Sequence, residues 1–331
     1  MYLCKVNTFG DNIKLTTFGE SHSIAIGGVI EGFPAGVEID KNFIQSELDR
    51  RKPSNNKAST TRKESDRIEI LSGIFEGKTL GTPIAFIIRN ENQQSGDYEY
   101  LREIYRPGHA DFTYEKKYGH YDYRSGGRAS ARETAARVAA GAFAKTILQS
   151  KNIEITATVK QIGNAQTPDE MERLIEQVKT DGDSLGGIVE CVIKGCLLGI
   201  GEPVFGKLQA QLAEAMMSIP AAKGFEYGEG FGAATMKGSE HNDVYMFDNE
   251  VKPATNHSGG ILGGISTGQD IVFRVAFKPI ASISKPQETV DKQGNSVQLV
   301  NQGRHDVCCV PRTVPVVEAM AALVIADNLE L

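Results

Sequence analysis

Short runs of apolar residues, many of them β-branched, recur along this chain and are typical of β-strands. Gly294 and Asn295 predict a hairpin turn within residues 288–300. The predicted strands lie at residues 24–33, 68–75, 84–89, 153–162, 188–198 and 271–277.

Between these runs, apolar residues fall at helical spacing, and several predicted helices have recognisable ends. One helix is predicted to start after Asp40 and to stop before Pro53. Another starts at Thr167, with a capping box and a proline at the first helical position. Two more are predicted at residues 203–217 and 314–329. The last is apolar almost all round, so we expect it to be buried.

The order of these elements favours a mixed α+β fold. Several strands come in neighbouring pairs instead of alternating with helices, which argues against a doubly wound sheet. We find no internal repeat or low-complexity linker, so we predict a single domain over residues 1–331. The polar stretches at residues 50–67, 91–102 and 227–257 are long for connecting loops and are predicted to be binding loops or lids.

The charge distribution indicates a small anionic ligand. A net charge of −6 argues against general nucleic-acid binding, which needs a basic face. Basic residues are nevertheless concentrated at residues 50–67 and 102–137. Two positive islands on an acidic protein favour a polyanionic small molecule bound in a focused field.

The cysteines and the apolar runs predict a cytoplasmic protein without disulfides. Five cysteines are odd in number and have no paired C-x-x-C spacing, which disfavours both disulfides and zinc. No His, Cys and Asp cluster has metal-ligand spacing, so we predict no metal site. The sequence has no signal-peptide pattern and no run of about 18 apolar residues, so we predict no membrane segment.

The segment RPGHADFTYEKKYGHYDYRSGGRASARET, residues 106–134, concentrates candidate chemistry. Ser130, followed three residues later by Glu133, predicts a capping box at the start of a helix over residues 134–148. Free N–H groups of that first turn and the glycine pair before it can approach an anion closely. The segment therefore predicts a phosphate site with Arg124, Arg128 and Arg132 as donors; a capped surface helix with solvated arginines is the alternative.

Three other segments carry possible site residues. His22, in FGESHS, is placed at a strand edge, where it can exchange a proton near neutral pH. Its surroundings lack the second glycine of a nucleophile elbow, which disfavours a serine hydrolase. NHSGGILGGISTG, residues 256–268, is not a P-loop; it fits a backbone close to a flat ligand or another subunit, or a tight loop between strands. GRHD, residues 303–306, adds a cation, an imidazole and a carboxylate.

Together these segments resemble the chorismate synthase family. The resemblance covers nearly the whole chain in the family's order, and the segment at residues 106–134 is its most specific part. The other matching motifs are TTFGESH (16–22), EGFPAG (31–36), LDRRKP (48–53), NHSGGILGGIS (256–266), KPIASI (278–283) and GRHDVCCVPRTVPVVEAM (303–320).

The resemblance implies a lyase that converts 5-enolpyruvylshikimate 3-phosphate to chorismate and phosphate by 1,4-anti elimination. It implies reduced FMN as cofactor, because the hydrogen that is lost has no adjacent carbonyl to acidify it and an electron-rich flavin can assist. NADPH enters only indirectly, and since the chain lacks the insertions of self-reducing members we expect an external flavin reductase. The implied fold is a β-α-β sandwich, assembled as a homotetramer.

The resemblance also assigns roles. His22 matches the histidine that protonates the departing phosphate, His109 the one that protonates or stabilises the reduced flavin near N1, and Asp306 the aspartate that assists proton movement at N5. Substrate-binding positions are Arg51, Lys57 and Arg132, and Arg51 and Arg304 match arginines that hold substrate and cofactor. The cofactor-binding positions are Arg128, Ala129, Ser130, Ala221, Gly263, Lys278, Pro279, Ile280, Ala281, Ser282 and Arg304.

The chain departs from the family's pattern at four positions. Ser125 replaces a usual glycine, Ala129 and Ala281 replace residues with a hydroxyl group, and Lys57 replaces an arginine and its two-pronged donor. Two other functions stay open at this point: a flavin- or phosphate-binding protein without catalysis, and an RNA-binding protein that stacks bases on tyrosines, which the net charge disfavours. The family offers no counterpart for His120 and His241, and we expect both to be peripheral.

Overall fold

The computed structural model describes residues 6–52, 65–91, 95–301 and 306–330. The helices are α1 (Lys41–Arg51), α2 (Asp111–Tyr118), α3 (Thr134–Ser150), α4 (Pro168–Thr180), α5 (Leu208–Met217), α6 (Gly238–His241) and α7 (Val310–Asp327). The strands are β1 (Thr8–Phe9), β2 (Lys14–Phe18), β3 (Ala25–Glu31), β4 (Ile68–Ile70), β5 (Ile74–Phe75), β6 (Lys78–Thr79), β7 (Ile84–Arg89), β8 (Glu154–Ile162), β9 (Gly187–Lys194), β10 (Ala222–Tyr227), β11 (Tyr245–Asp248), β12 (Glu250–Pro253), β13 (Ile261–Leu262), β14 (Ile265–Ser266), β15 (Ile271–Phe277), β16 (Gln287–Val290) and β17 (Ser296–Leu299).

Two antiparallel sheets form the outer layers. The first has five strands in the order β1-β2-β3-β7-β4, and the second has four in the order β10-β15-β9-β8. The register places Gly27 of β3 opposite Ile87 of β7, and Cys191 of β9 opposite Phe273 of β15. Short hairpins, among them β11-β12, β13-β14 and β16-β17, project from this framework.

A layer of helices fills the space between the two sheets. Helix α3 packs on β2, β3 and β7 of the first sheet and on α7, while α7 packs on β8 and β9 of the second. The buried apolar residues form one cluster that reaches from Ile13 to Ala326. This arrangement is the β-α-β sandwich and confirms the predicted α+β class. That the whole chain is one domain stays a prediction, which the shared core supports.

Most predicted elements are present with small changes at their ends. Residues 84–89 and 271–277 are strands over their full predicted length. Thr167 and Glu170 form the predicted capping box of α4. The predicted burial of the last helix is confirmed, since α7 is buried along most of its length.

Three predictions are wrong in detail. The run at residues 68–75 is divided into β4 and β5, because the chain turns at Gly73, which has a φ of 86°. The helix predicted from residue 203 begins at Leu208, since Glu202 N–H donates to the carbonyl of Gly206 (3.1 Å) and closes a turn before it. Residues 227–257 are not one long loop but contain a 3-10 helix, α6 and the β11-β12 hairpin.

An ionic cluster lies inside the helical layer. Lys145 of α3 donates to Glu47 of α1 and to Glu318 of α7 (2.6 Å to Glu318). Arg50 donates twice to Glu318, at 2.6 and 2.7 Å, and the N–H of Ala157 in β8 completes the contacts (3.0 Å). Two carboxylates thus balance two cations, and the cluster ties α1 to α3, α7 and the second sheet.

None of the helices in the described ranges combines the length and apolar character that crossing a bilayer requires.

Helices α3 and α7 approach each other most closely at Gly141. A Cβ placed on Gly141 would overlap Ala319 on the facing helix, including its backbone. Alanine in place of a helical glycine ordinarily stabilises by up to about 1 kcal/mol, because glycine has more conformational freedom in the unfolded chain. Here the overlap reverses that sign.

We therefore expect Gly141→Ala to lower the free energy of unfolding by about 1–3 kcal/mol, the usual cost of overpacking. Thermal or urea unfolding followed by circular dichroism measures it. Gly238→Ala in the exposed helix α6 is the matched control, because a Cβ there meets open space, and this variant should match or exceed the wild type in stability. Equal stability of Gly141→Ala and the wild type would contradict the close approach of the two helices.

Candidate active site

His22 lies in the connection between β2 and β3, which rests on residues 124–129. The N–H of Ser21 donates to the carbonyl of Gly127 (3.3 Å), and Ser21 Oγ donates to the carbonyl of Arg124 (3.3 Å). The His22 ring is buried and meets Tyr98 edge-on, with 5.0 Å between ring centres. The two sequence-predicted segments around His22 and Arg128 are therefore in direct contact.

The backbone of residues 124–129 takes left-handed conformations at three successive positions. Ser125 has φ 52° and ψ 16°, Gly126 has φ 85°, and Gly127 combines φ 53° with ψ −119°, a region open essentially to glycine alone. Ser125 is thus one of the few non-glycine residues with positive φ. The positive φ at residue 125 explains why the family usually has glycine at this position, since glycine adopts this conformation without strain.

The arginines of this loop donate to the protein itself. Arg128 donates to the carbonyl (2.7 Å) and hydroxyl of Thr17, and more weakly to the carbonyl of Gly19 (3.4 Å). Arg124 makes two bonds to Asp122, at 2.8 and 2.9 Å. Both arginines hold the loop in shape, so neither is simply solvated; that they also donate to a phosphate stays a prediction.

The capping box predicted between Ser130 and Glu133 is wrong. Ser130 Oγ accepts from the N–H of Arg132 (3.4 Å), and residues 131–133 form a 3-10 turn ahead of α3. The Glu133 carboxylate accepts instead from Thr17 Oγ1 (3.0 Å) and from Arg137 (2.9 Å), so it does not reach back to Ser130.

The predicted substrate residues Arg51 and Arg132 meet at Asp66. Arg51, at the end of α1, donates to Asp66 Oδ2 (3.1 Å), and Arg132 donates to Oδ1 of the same carboxylate. All three side chains are buried, and Asp66 is fully buried with 0% exposure. Burial lowers the pKa of Arg51 to about 10. Burial alone would raise the pKa of Asp66, but the charges of Arg51 and Arg132 hold it below its usual value.

Asp306 is connected to the same region through a residue that the sequence analysis missed. Arg312, in the first turn of α7, donates to Asp306 Oδ2 (2.6 Å) and to the carbonyl of Arg51 (3.2 Å). Its only signal in the sequence is its place in the motif at residues 303–320. Arg312 thereby joins the predicted catalytic aspartate to the end of α1.

His109 forms a second group with residues 278–282. Its Nδ1 lies 3.0 Å from the carbonyl of Pro107, and its Nε2 lies 3.0 Å from Ser282 Oγ. Because a carbonyl only accepts, the neutral ring carries its hydrogen on Nδ1 and accepts from Ser282 on Nε2. Burial, reinforced by the positive charge of Arg106, lowers the pKa of His109 to about 4, so the ring is neutral at pH 7.

Lys278 fixes this group from the other side. Its Nζ donates to the carbonyl of Gly108 (2.7 Å), and its backbone N–H donates to the carbonyl of Ala221 (2.9 Å). A Cβ on Gly108 would lie 2.9 Å from that of Ala281, so the two segments are in contact. Five predicted positions, at residues 109, 221, 278, 281 and 282, are therefore brought together.

Residues 184–185 connect the two groups. Ser184 Oγ donates to the carbonyl of Ile280 (2.6 Å), and the N–H of Leu185 donates to the carbonyl of Val307 (2.8 Å). The segment that follows Asp306 and the segment that carries Ser282 thus lie on either side of the same short stretch.

Some predicted residues are not joined to these groups. Gly263 is exposed in the turn between β13 and β14, and in the described parts of the chain no hydrogen bond links it to residues 278–282. Lys57 and Arg304 lie outside the described residues. His120 is exposed, whereas His241 lines a separate cavity of about 570 Å³ beside His257.

The left-handed loop generates a paired prediction. Ser125→Gly should raise the free energy of unfolding by about 0.5–1 kcal/mol, because relief of about 1–2 kcal/mol of strain exceeds the entropy cost of glycine. Gly127→Ala should lower it by about 2 kcal/mol, since alanine is strained there and its Cβ would lie 3.0 Å from the carbonyl oxygen of Asp122. Urea unfolding of the two variants measures both; effects of the same sign would contradict the loop conformation.

The comparisons with known proteins all point to one family over nearly the whole length of the chain. The chorismate synthase family model matches residues 13–329. A chorismate synthase from Bacteroides thetaiotaomicron is 54% identical over 346 residues, covering 97% of this chain and 97% of its own. One from Azobacteroides pseudotrichonymphae is 53% identical, covering 97% and 98%, and one from Prochlorococcus marinus is 50% identical, covering 98% and 97%.

Comparison with a solved structure supports the same family at the level of the fold. A crystal structure of chorismate synthase superposes with a TM-score of 0.76 at 32% identity, covering 96% of this chain and 92% of that one. The family model and the relatives each span nearly the whole chain. This chain belongs to the chorismate synthase family.

Proposed function

We propose that reduced FMN is the cofactor with which this member of the family converts 5-enolpyruvylshikimate 3-phosphate to chorismate and phosphate. The observation that carries the proposal is the neutral His109 ring, held in one tautomer between Pro107 and Ser282, with Lys278 one hydrogen bond away at Gly108. When bound, the reduced flavin supplies the electron density that makes loss of phosphate and of the ring hydrogen possible.

The residues present suit an anionic flavin. Ser130 and Ser282 offer hydroxyl groups, and Arg128 and Lys278 offer positively charged donors for the phosphate and the reduced ring. The backbone at Gly263 is open, because a Cβ there meets nothing within 4 Å, so a flat ligand can approach it. Ala129 and Ala281 keep their backbone groups, so the missing hydroxyls remove side-chain contacts only. We assign Pro279, Ile280 and Ala221 to the same site, and Arg304 by resemblance alone.

His109 is suited to take up a proton briefly and to return it. With the Nδ1 hydrogen committed to Pro107, its Nε2 lone pair faces Ser282 and can receive a proton there. Its low pKa makes that proton easy to give back, so the ring neither traps it nor adds a permanent charge. We propose that it acts at the flavin.

His22 and Asp306 serve the other two proton positions in this proposal. His22 is buried on the loop that holds Arg128, which keeps water away from the proton it gives to the departing phosphate. Asp306 is oriented by Arg312, which donates to its Oδ2, and we propose that its carboxylate assists proton movement at the flavin. Arg51 and Arg132 bind the anionic groups of the substrate, and Lys57 stays a predicted third ligand.

The test is turnover under anaerobic conditions with photoreduced FMN, followed by phosphate release and chorismate absorbance. His22→Ala, His109→Ala and Asp306→Asn should each lower kcat by about a hundred-fold or more, the range for a lost acid or base. FMN affinity, measured by flavin fluorescence, should stay within a few-fold of the wild type. His120→Ala is the matched control and should leave both unchanged, because that side chain is exposed and no hydrogen bond among the described residues joins it to either site group.

Two results would overturn parts of this proposal. FMN binding without any turnover by the wild type would favour the non-catalytic binding protein. Turnover in aerobic NADPH and FMN with no added reductase would contradict the proposed dependence on an external flavin reductase.

We also propose a cytoplasmic homotetramer. Exposed apolar side chains gather on the β11-β12 hairpin, where Tyr245, Phe247 and Val251 are 65%, 77% and 69% exposed. Phe205 is 95% exposed elsewhere. Contiguous exposed apolar side chains of this kind can mark a protein interface. The free thiols at residues 191, 196, 308 and 309 suit a reducing compartment.

Phe247→Asp should therefore lower the mass measured by light scattering after size-exclusion chromatography from a tetramer toward a smaller species, because a buried charge disfavours association. Circular dichroism checks that the fold is retained. Lys252→Ala on the same hairpin keeps the apolar side chains and should leave the mass unchanged. A wild type that is monomeric at micromolar concentration would refute the tetramer.

A further inference from the structure

We infer that Asp66 is a positioning residue that holds Arg51 and Arg132 together as one anion-binding unit. The inference rests on the proposed role of these arginines as substrate ligands. Its basis is a single buried carboxylate that gives one oxygen to each guanidinium. Among the described side chains of this triad, two cations and one anion leave an excess of one positive charge, which an anionic group of the substrate can complete.

Neighbouring groups orient the two guanidiniums further. Arg51 Nε donates to Thr134 Oγ1 (2.9 Å), and its Nη2 donates to the carbonyl of Ala131 (2.8 Å). Arg132 Nε donates to Asn90 Oδ1 (2.9 Å), and its Nη2 donates to the carbonyl of Arg89 (3.2 Å). Residues from α1, the end of β7 and the start of α3 therefore meet around Asp66.

These bonds leave donors for a ligand. A guanidinium has five N–H groups, and the contacts within the described residues use one hydrogen on each of its three nitrogens. No acceptor among the described residues uses the second hydrogens of Nη1 and Nη2 on either arginine. Their directions are fixed, because the plane of each guanidinium is already set by the protein.

Asp66 is also what keeps the two cations close. Without its charge, two buried guanidiniums around one site repel each other and lose their compensation for burial. The expected response is a separation of the arginine heads, one toward solvent, rather than loss of the fold. The site would then gain positive charge but lose the geometry that recognises a phosphate or carboxylate.

Asp66→Asn is the sharpest test. Asp66 has φ 46°, a conformation that asparagine tolerates well, and asparagine keeps the size and one acceptor oxygen while removing the charge. We expect KM for the phosphorylated substrate to rise by about ten-fold or more, with kcat within a few-fold of the wild type, as for a lost ground-state contact. Affinity for inorganic phosphate, measured by calorimetry, should fall by a similar factor.

Asp327→Asn is the matched control. Asp327 is another buried carboxylate, and it accepts from the backbone N–H groups of residues 11–13, away from both arginines. The Asp327→Asn variant should be less stable than the wild type, with unchanged KM and phosphate affinity. A shared change in both variants would reveal a general effect of destabilisation.

The outcomes are distinguishable. Unchanged KM and phosphate affinity in Asp66→Asn would overturn the inference and leave the triad a purely structural element. Tighter phosphate binding would overturn it in the other direction, because Asp66 would then block the arginines. The calorimetric measurement needs no turnover, so it decides the inference even if the proposed reaction fails.

If Asp66→Asn does not fold, Thr134→Val decides. It removes the acceptor of Arg51 Nε and leaves the charges in place. We expect phosphate binding to weaken by about three-fold or more, because Arg51 loses one of the charge-assisted hydrogen bonds that set the plane of its guanidinium. An unchanged affinity would show that the fixed orientation of Arg51 does not serve anion binding and would overturn the inference.

Discussion

The close contact between α3 and α7 is the constraint on which the rest of the structure depends. Gly141 facing Ala319 lets the two backbones meet with no large side chain between them. The two sheets can then cover both sides of a thin helical layer. The ends of the helices, rather than their middles, reach the site: Arg132 precedes α3, Arg312 opens α7 and Arg51 closes α1. A shift between α3 and α7 would therefore move the predicted substrate and proton-transfer groups relative to each other.

Two buried ionic groups share helix α1 and differ in charge balance. Arg50 belongs to the cluster with Glu47, Lys145 and Glu318, in which carboxylates and cations are equal in number. Arg51, the next residue, belongs to the group around Asp66, in which the described cations, Arg51 and Arg132, outnumber the one described carboxylate. A balanced buried cluster satisfies itself and has little to offer a ligand. An unbalanced one retains a charge that a ligand can compensate. The Arg50 cluster fixes the position of α1, and this position places Arg51 where it can contribute to the group around Asp66.

The sequence predicted local features better than contacts between distant segments. Alternating and helical patterns identified β7, β15, α4 and the burial of α7, because each depends on neighbouring residues. Asp66 was missed: its partners lie 15 and 66 residues away along the chain, and no spacing rule connects them. Arg312 was missed although Asp306 lies only 6 residues away, because its other partner, the carbonyl of Arg51, is 261 residues distant along the chain. The capping box at Ser130 failed because Thr17 and Arg137, which a local motif does not include, compete for Glu133. The resemblance supplied the site residues, and the contacts bring many of them together without revealing their roles.

The site arginines are held by contacts within the protein, and this affects how selectively they can bind an anion. The sequence suggested arginines free to close around a phosphate, yet Arg51, Arg128 and Arg132 already donate to backbone carbonyls, hydroxyls or Asp66. A free arginine must lose its side-chain freedom when it binds, which costs about 0.5–1.5 kcal/mol for each side chain. An arginine already fixed by the protein loses little. Its remaining N–H groups point in set directions, so they can donate only to an anion of the right shape. The contacts that occupy these guanidiniums therefore favour selective recognition, and the burial that makes them costly to fold keeps competing water away.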